Sequence, residues 1–277
     1  MFKKTAALFY LTMALSFNLA AAPKTVSISG STSVSRIMDA LAETFNKRQS
    51  DIFIAVHGTG SSAGITAVKN GATELGMSSR FLKDEEASPN LKLVEIAHDA
   101  IAMVVHPSNP INNLTAEHAN AIYKRQITDW SELGDEPSSA IAAVSRENAS
   151  GTRFSFESNL DLLQVINGIT VSGINNEVLI ANSNSMVKTI VNHNPHAIGY
   201  ISLGSVDNSI KAVSFNGIAP TLAHIHDNKY NLTRPFLIMY KDGELSTEAR
   251  QFIQFILSED GQDIVEAFGY LPIKQPS

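Results

Sequence analysis

A short apolar strand, a turn of glycine, serine and threonine, and an amphipathic helix recur in that order along the chain. This unit limits the fold more than any other feature. The first copy has a strand over 26–28, the turn Ser29-Gly30-Ser31-Thr32-Ser33, and a helix with Ile37, Leu41 and Phe45 on one face. The second has a strand over 52–56, the turn His57-Gly58-Thr59-Gly60-Ser61-Ser62, and a helix carrying Ile65 and Val68. The third has a strand over 140–144, a turn from Ser145 to Thr152, and a helix with Phe154, Phe156 and Leu160. Further strands over 100–105, 197–201 and 235–240 are almost wholly apolar, as suits strands covered on both faces. Two helices follow, over 247–257 and 259–268, and Gly269 is placed to cap the second. Strands alternating with helices predict an α/β architecture with mostly parallel sheets.

The beginning of the chain has a different pattern. Lys3 and Lys4 precede an apolar run over 6–19, and Ala20, Ala21 and Ala22 follow it. Positive, apolar and small residues in that order predict a cleaved secretory signal peptide over 1–22. Pro23 disfavours a cut just before it, which places cleavage after Ala20 or Ala21. No later stretch is apolar for long enough to cross a bilayer. The chain has no cysteine, so thiol chemistry and a lipid-anchor cysteine are both excluded, and the expected location is the periplasm.

Charge narrows the partners. The formal net charge is −6, and removal of Lys3 and Lys4 makes it more negative. Without a basic stripe to displace counterions, such a chain is not a nucleic-acid binder. A small anion remains possible, because dipoles in a cleft can outweigh net charge. Pro107 and Pro110, within 105–113, mark a crossing into a second unit, and 227–235 marks the return. The expected organisation is a discontinuous lobe of 23–105 plus 233–277 and a second lobe of 106–232.

The turns carry the chemistry. A helix start exposes N–H groups without intrahelical partners and carries the positive end of the macrodipole, so it attracts phosphate or sulfate. Gly30 and Gly60 let the backbone approach a ligand, and Thr32, Ser61 and Ser150 add hydroxyls. Any one such turn can be a plain cap. Three in one chain, one of them beside Arg146, point to an oxyanion, because arginine's planar fork matches phosphate and sulfate oxygens. Arg153 and Glu157 have the spacing of a helix-face ion pair. The segment Glu74-Leu75-Gly76-Met77-Ser78-Ser79-Arg80 reads as a short buried strand with a donor-rich tip.

Other patterns compete. Gly60-Ser61-Ser62-Ala63-Gly64 is a G-x-S-x-G sequence, which would make Ser62 the nucleophile of a serine esterase, but too few strands precede it. Gly58-Thr59-Gly60-Ser61-Ser62-Ala63 satisfies the loose dinucleotide pattern without an evident acidic ribose partner. His193 with His196, and His224 with His226, would need a third ligand to hold a metal.

The segments Ile28-Ser29-Gly30-Ser31-Thr32-Ser33, Gly58-Thr59-Gly60-Ser61-Ser62-Ala63-Gly64 and Leu75-Gly76-Met77-Ser78-Ser79-Arg80 resemble the first lobe of the periplasmic phosphate-binding proteins of bacterial ABC transporters. Arg146-Glu147-Asn148-Ala149-Ser150-Gly151-Thr152-Arg153 is similar to that family's second-lobe phosphate loop. Ala197-Ile198-Gly199-Tyr200 and Tyr230-Asn231-Leu232-Thr233-Arg234-Pro235 extend the likeness across the chain. The resemblance implies a type II periplasmic-binding-protein fold whose two lobes close on dehydrated inorganic phosphate. It also implies delivery to the permease and ATPase components of an ABC transporter, by a monomer without cofactor or catalytic activity. The phosphate site it implies is Ser31, Thr32, Ser33, Ser61, Ser79, Arg146, Ser150, Gly151 and Thr152. Some members have an aspartate where this chain has Ser79, and that aspartate accepts the ligand's own proton. Ser79 can donate or accept, so a sulfate or other oxyanion binder is the alternative.

Overall fold

The computed structural model describes residues 22–134 and 138–273. The expected signal peptide therefore lies outside the described residues, apart from Ala22. The chain runs through β1 (Lys24–Gly30), α1 (Thr32–Arg48), β2 (Ile52–Gly58), α2 (Ser61–Lys69), β3 (Leu75–Ser78) and β4 (Leu91–Val105). It continues with β5 (Asn113–Leu114), α3 (Ala116–Tyr123), β6 (Ala142–Arg146), α4 (Gly151–Asn159), β7 (Leu163–Ile166), β8 (Ile169–Ser172), β9 (Leu179–Ala181) and α5 (Asn184–His193). Then come β10 (Ala197–Ser202), β11 (Lys211–Ala212), β12 (Ser214–Phe215), α6 (Leu222–His226), β13 (Thr233–Lys241), α7 (Thr247–Leu257), α8 (Glu259–Ala267) and β14 (Leu271–Pro272).

The main sheet has the order β2-β1-β3-β13-β4-β10-β6-β9, with β11 and β14 joined to β4. Each flank is parallel: β1 pairs with β2 and β3, and β6 with β10 and β9. The middle is antiparallel, because β13 and β4 run against each other and against their outer neighbours. Parallel strands need helical crossovers, which is why the strand–turn–helix units build the flanks. The same geometry sets the carboxyl ends of β1 and β6 beside the helix starts that follow them.

Two large apolar clusters lie along this sheet. One joins both ends of the chain, with Val26, Ile28, Ile37 and Leu41 packed with Ile238 and Phe252. Phe45 meets Phe252 edge-on at 5.2 Å. The other gathers Ile101, Met103, Tyr123, Trp130, Phe156 and Tyr200 from the middle of the chain. Each fully buried side chain of this kind contributes roughly 1.5–3 kcal/mol.

Two regions depart from the sequence expectation. The strand expected over 100–105 begins at Leu91, because Lys92 and Leu93 lie on an exposed stretch that breaks the apolar run without breaking the ladder. The β7–β8 hairpin was not anticipated. Its Asn167-Gly168 turn takes φ of 52° and 78°, the left-handed pair that a two-residue hairpin turn requires. Among the described residues no helix is long and apolar enough to cross a membrane.

Candidate oxyanion site

Three helices start at one place, and each start is made differently. At α1, the Ser31 hydroxyl accepts from the amides of Ser33 and Val34 and donates to Ser79 Oγ at 3.0 Å. At α2, the residue before the helix is Gly60, which has φ of 96° and no side chain to cap with. Glycine is needed there, since a Cβ on it would also lie 3.0 Å from that of Ala149. At α4, the Ser150 hydroxyl accepts from the Arg153 amide. Gly151 then packs so closely that an added Cβ would lie 2.3 Å from Ser61 Oγ and 2.7 Å from Ser79 Oγ.

The hydroxyls form a continuous cluster. Ser33 Oγ lies 2.9 Å from Thr152 Oγ1, and Ser61 Oγ lies 3.4 Å from Ser79 Oγ. The Ser79 amide donates to Ser61 Oγ, and the Ser155 hydroxyl donates to the Ser79 carbonyl. Asn184, at the start of α5, donates to Ser33 Oγ at 3.0 Å. Ser31, Ser33, Ser61, Ser79, Ser150 and Thr152 are all buried. So many polar side chains under cover hold together only by bonding to one another or to a ligand.

Three buried arginines surround the cluster, each with its own carboxylate. Arg146 donates from Nε and Nη2 to Glu147, from Nη1 to Asn184 Oδ1, and from Nη2 to Thr32 Oγ1 at 3.1 Å. Its backbone is fixed by Tyr200, whose hydroxyl accepts from the Arg146 amide and lies 2.6 Å from Ser145 Oγ. The Tyr200 ring stacks on Phe156 at 3.8 Å, and burial pushes its phenol well above the usual range. Arg234 donates from Nε and Nη2 to Asp99, from Nη2 to Ser33 Oγ at 3.2 Å, and from Nη1 to Ser79 Oγ at 3.4 Å. Burial raises the Asp99 pKa, and the charge and hydrogen bonds of Arg234 oppose that rise.

Arg80 is different. Its guanidinium is closed on both oxygens of Glu86, at 2.6 and 2.7 Å, and lies over the Phe154 ring. Burial works against the Glu86 carboxylate. Hydrogen bonds from Arg80 and the Lys83 amide, with the charge of Arg80, outweigh it and hold the group below its ordinary pKa.

The structure brings together the residues from Ser31 to Thr152 that the resemblance singled out. Sequence reasoning missed Arg234, Asp99 and Asn184. A signal for the first two exists: each is a charge at the head of a wholly apolar run, and their Cα atoms pair across β13 and β4. Ser62 stands outside the cluster. Its hydroxyl accepts from Arg80 Nη2 at 2.9 Å, and a guanidinium cannot take a proton from a nucleophile. Among the described residues no group of three or more His, Asp or Glu side chains is placed to hold a metal. Arg153 and Glu157 pair at 2.8 Å along α4.

Residues 18–260 match a family model described as a PBP superfamily domain. Phosphate-binding protein PstS of Borreliella burgdorferi is 34% identical over 257 residues, which cover 91% of each chain. Phosphate-binding protein PstS of Bacillus subtilis is 30% identical over 253 residues, 90% of this chain and 80% of that one. A Clostridium perfringens substrate-binding protein attributed to a phosphate ABC transporter, solved with bound phosphate, superposes with a TM-score of 0.85. It is 41% identical, and the match covers 91% of this chain and all of that one. An ABC-type phosphate transport receptor from Vibrio cholerae gives a TM-score of 0.75 at 43% identity, covering 90% of this chain and all of the other. The match over 18–260 and the identity along the PstS chains establish the family: this protein belongs to the PBP superfamily, among the PstS phosphate-binding proteins.

Proposed function

We propose that this protein captures inorganic phosphate between two lobes, 23–105 plus 233–277 and 106–232, and delivers it to an ABC transporter's permease and ATPase. The observation that carries the reading is the meeting of Ser33 and Thr152 at 2.9 Å, which brings the starts of α1 and α4 onto one point from opposite flanks of the sheet. The start of α2 joins them through Ser61 and Gly151. Such a point offers backbone N–H groups, hydroxyls and three positive helix ends to a single small anion.

Capture proceeds by closure. In the open form the two sets of donors face water, and an arriving phosphate binds one of them. Closure brings the second set onto the remaining oxygens and replaces the hydration shell with fixed dipoles. Arg146 supplies a cation whose field is moderated by Glu147. Hydroxyls and amides therefore carry much of the affinity, as suits a ligand that must later be released. Phosphate stabilises the closed form in proportion to its preference for that form, and the closed form is the one the permease accepts.

Ser79 acts in this site as a donor. Its oxygen already accepts from Ser31 and Arg234, which leaves its own hydrogen for Ser61 Oγ at 3.4 Å or for the ligand. Rejection of sulfate therefore does not rest on a carboxylate at this position. The protein acts in the periplasm as a monomer and performs binding, not catalysis. The test is equilibrium dialysis with radiolabelled phosphate after unfolding, washing and refolding to strip the protein. One phosphate bound per chain is the expected result. No retained phosphate would remove the reading, and equal displacement by sulfate would broaden it to tetrahedral oxyanions.

A further inference from the structure

We infer that Arg234, held by Asp99, is a second cation that touches the anion and helps to set the site's affinity; this rests on the phosphate-binding reading above. Arg234 lies on β13 and Asp99 on β4, the antiparallel pair through the middle of the sheet, and the two residues are partners in register. Neither belongs to a strand–turn–helix unit, so nothing in those turns announces them. Both side chains are buried, at 1% and 0% exposure.

The form of the ion pair shows which way the guanidinium is turned. A bidentate pair sets two N–H groups on two oxygens, as Arg80 does with Glu86. Arg234 instead directs both Nε and Nη2 to the same oxygen, Asp99 Oδ2, at 3.0 and 2.8 Å. Asp99 Oδ1 takes no donor from Arg234. The far side of the guanidinium is thus left for the serines, with Nη1 on Ser79 and Nη2 on Ser33. These contacts use only part of its five donors. A carboxylate at position 79 would take up this side of the guanidinium. A serine there leaves its charge for the ligand.

A buried cation seeks counter-charge. Asp99 supplies part of it through one oxygen, and an anion among Ser31, Ser33 and Ser79 supplies the rest. Asp99 and the anion then share Arg234, which makes a distinctive prediction. Removing the charge of Asp99 harms the unliganded protein more than the liganded one, because bound phosphate stands in for the missing carboxylate. A purely structural ion pair would lose the same stability in both states.

The experiment measures thermal unfolding of the wild type and Asp99→Asn, each with and without saturating phosphate. The inference expects Asp99→Asn to lower the midpoint without phosphate and to show a larger phosphate-induced rise than the wild type. Equal lowering in both conditions would overturn it. A second variant, Arg234→Met with Asp99→Asn, removes both charges and leaves no buried ion unpaired. Its fold is checked by circular dichroism, and its phosphate affinity should fall at least about tenfold. Wild-type affinity in that folded variant would also overturn the inference. A wild type that shows no phosphate shift at all would instead remove the binding reading on which it stands.

Discussion

Arg80 and Arg146 look alike in the sequence and act in different ways. Each lies just beyond or at the end of a buried strand, directly after a serine, and each is almost fully covered, at 2% and 1% exposure. Arg80 ends its search at Glu86, with both carboxylate oxygens engaged and a ring of α4 across its face. Arg146 is held from behind by Glu147 and reaches forward to Thr32 and Asn184, which belong to other helix starts. Both carboxylates take two N–H groups on two oxygens, so the difference lies in the remaining donors, and those of Arg80 end on the Phe81 carbonyl and on Ser62. Those of Arg146 reach Asn184 and Thr32, at the helix starts that form the oxyanion site.

The comparison is sharpest where it predicts the largest effect. Arg146→Ala should weaken phosphate binding by about 3–5 kcal/mol, because it strips a cation from a buried anion. Titration calorimetry reads this directly, and near-normal affinity would mean that the ligand lies elsewhere. For Arg80→Ala the loss should fall on stability, at about 2–3 kcal/mol, with phosphate affinity changed less than threefold. Chemical denaturation beside calorimetry separates the two, and a large affinity loss would erase the distinction drawn here.

The Arg80 pin should also appear in acid. The folded pKa of Glu86 is held below its ordinary value of 4.5, so its contribution to stability is full above that range. The contribution is lost as pH falls through the lower, folded value. Glu86→Gln should flatten that part of the stability profile, and an unchanged acid limb would contradict the assignment. A smaller effect is expected at Gly151, where a Cβ would press on Ser61 and Ser79. Gly151→Ala should cost about 1–3 kcal/mol of binding by holding the two flanks apart. The smallest change is expected at Ser62→Ala, within about 0.5 kcal/mol of wild-type binding. Complete loss of binding in that variant would place the ligand on the other side of α2.

What the sequence revealed follows from the range of the interactions. The turns at Ser31, Ser61 and Ser150 were legible because a strand, a few polar residues and a helix lie within one local stretch. Arg146 was legible because it precedes such a turn by four residues. Arg234 and Asp99 are 135 positions apart, and only the register of β13 on β4 joins them. Asn184 was missed because the short strand before it, β9, has three residues and gives little signal. Arg80 reads in sequence only as part of a donor-rich tip, since a sequence cannot show that Glu86 folds back onto it. The β7–β8 hairpin did carry a local sign, Asn167-Gly168 between apolar residues, and it lay outside the strand–turn–helix pattern that organised the rest.

The central claim is that the helix starts gathered around Ser33, Ser79 and Thr152 hold phosphate. Thermal unfolding of stripped protein, with and without phosphate, tests it most directly. Phosphate at a hundred times its dissociation constant adds about 2.7 kcal/mol. For a chain of this size that raises the midpoint by roughly 5–10 °C. The account predicts such a rise with phosphate. An unchanged midpoint with phosphate would contradict it.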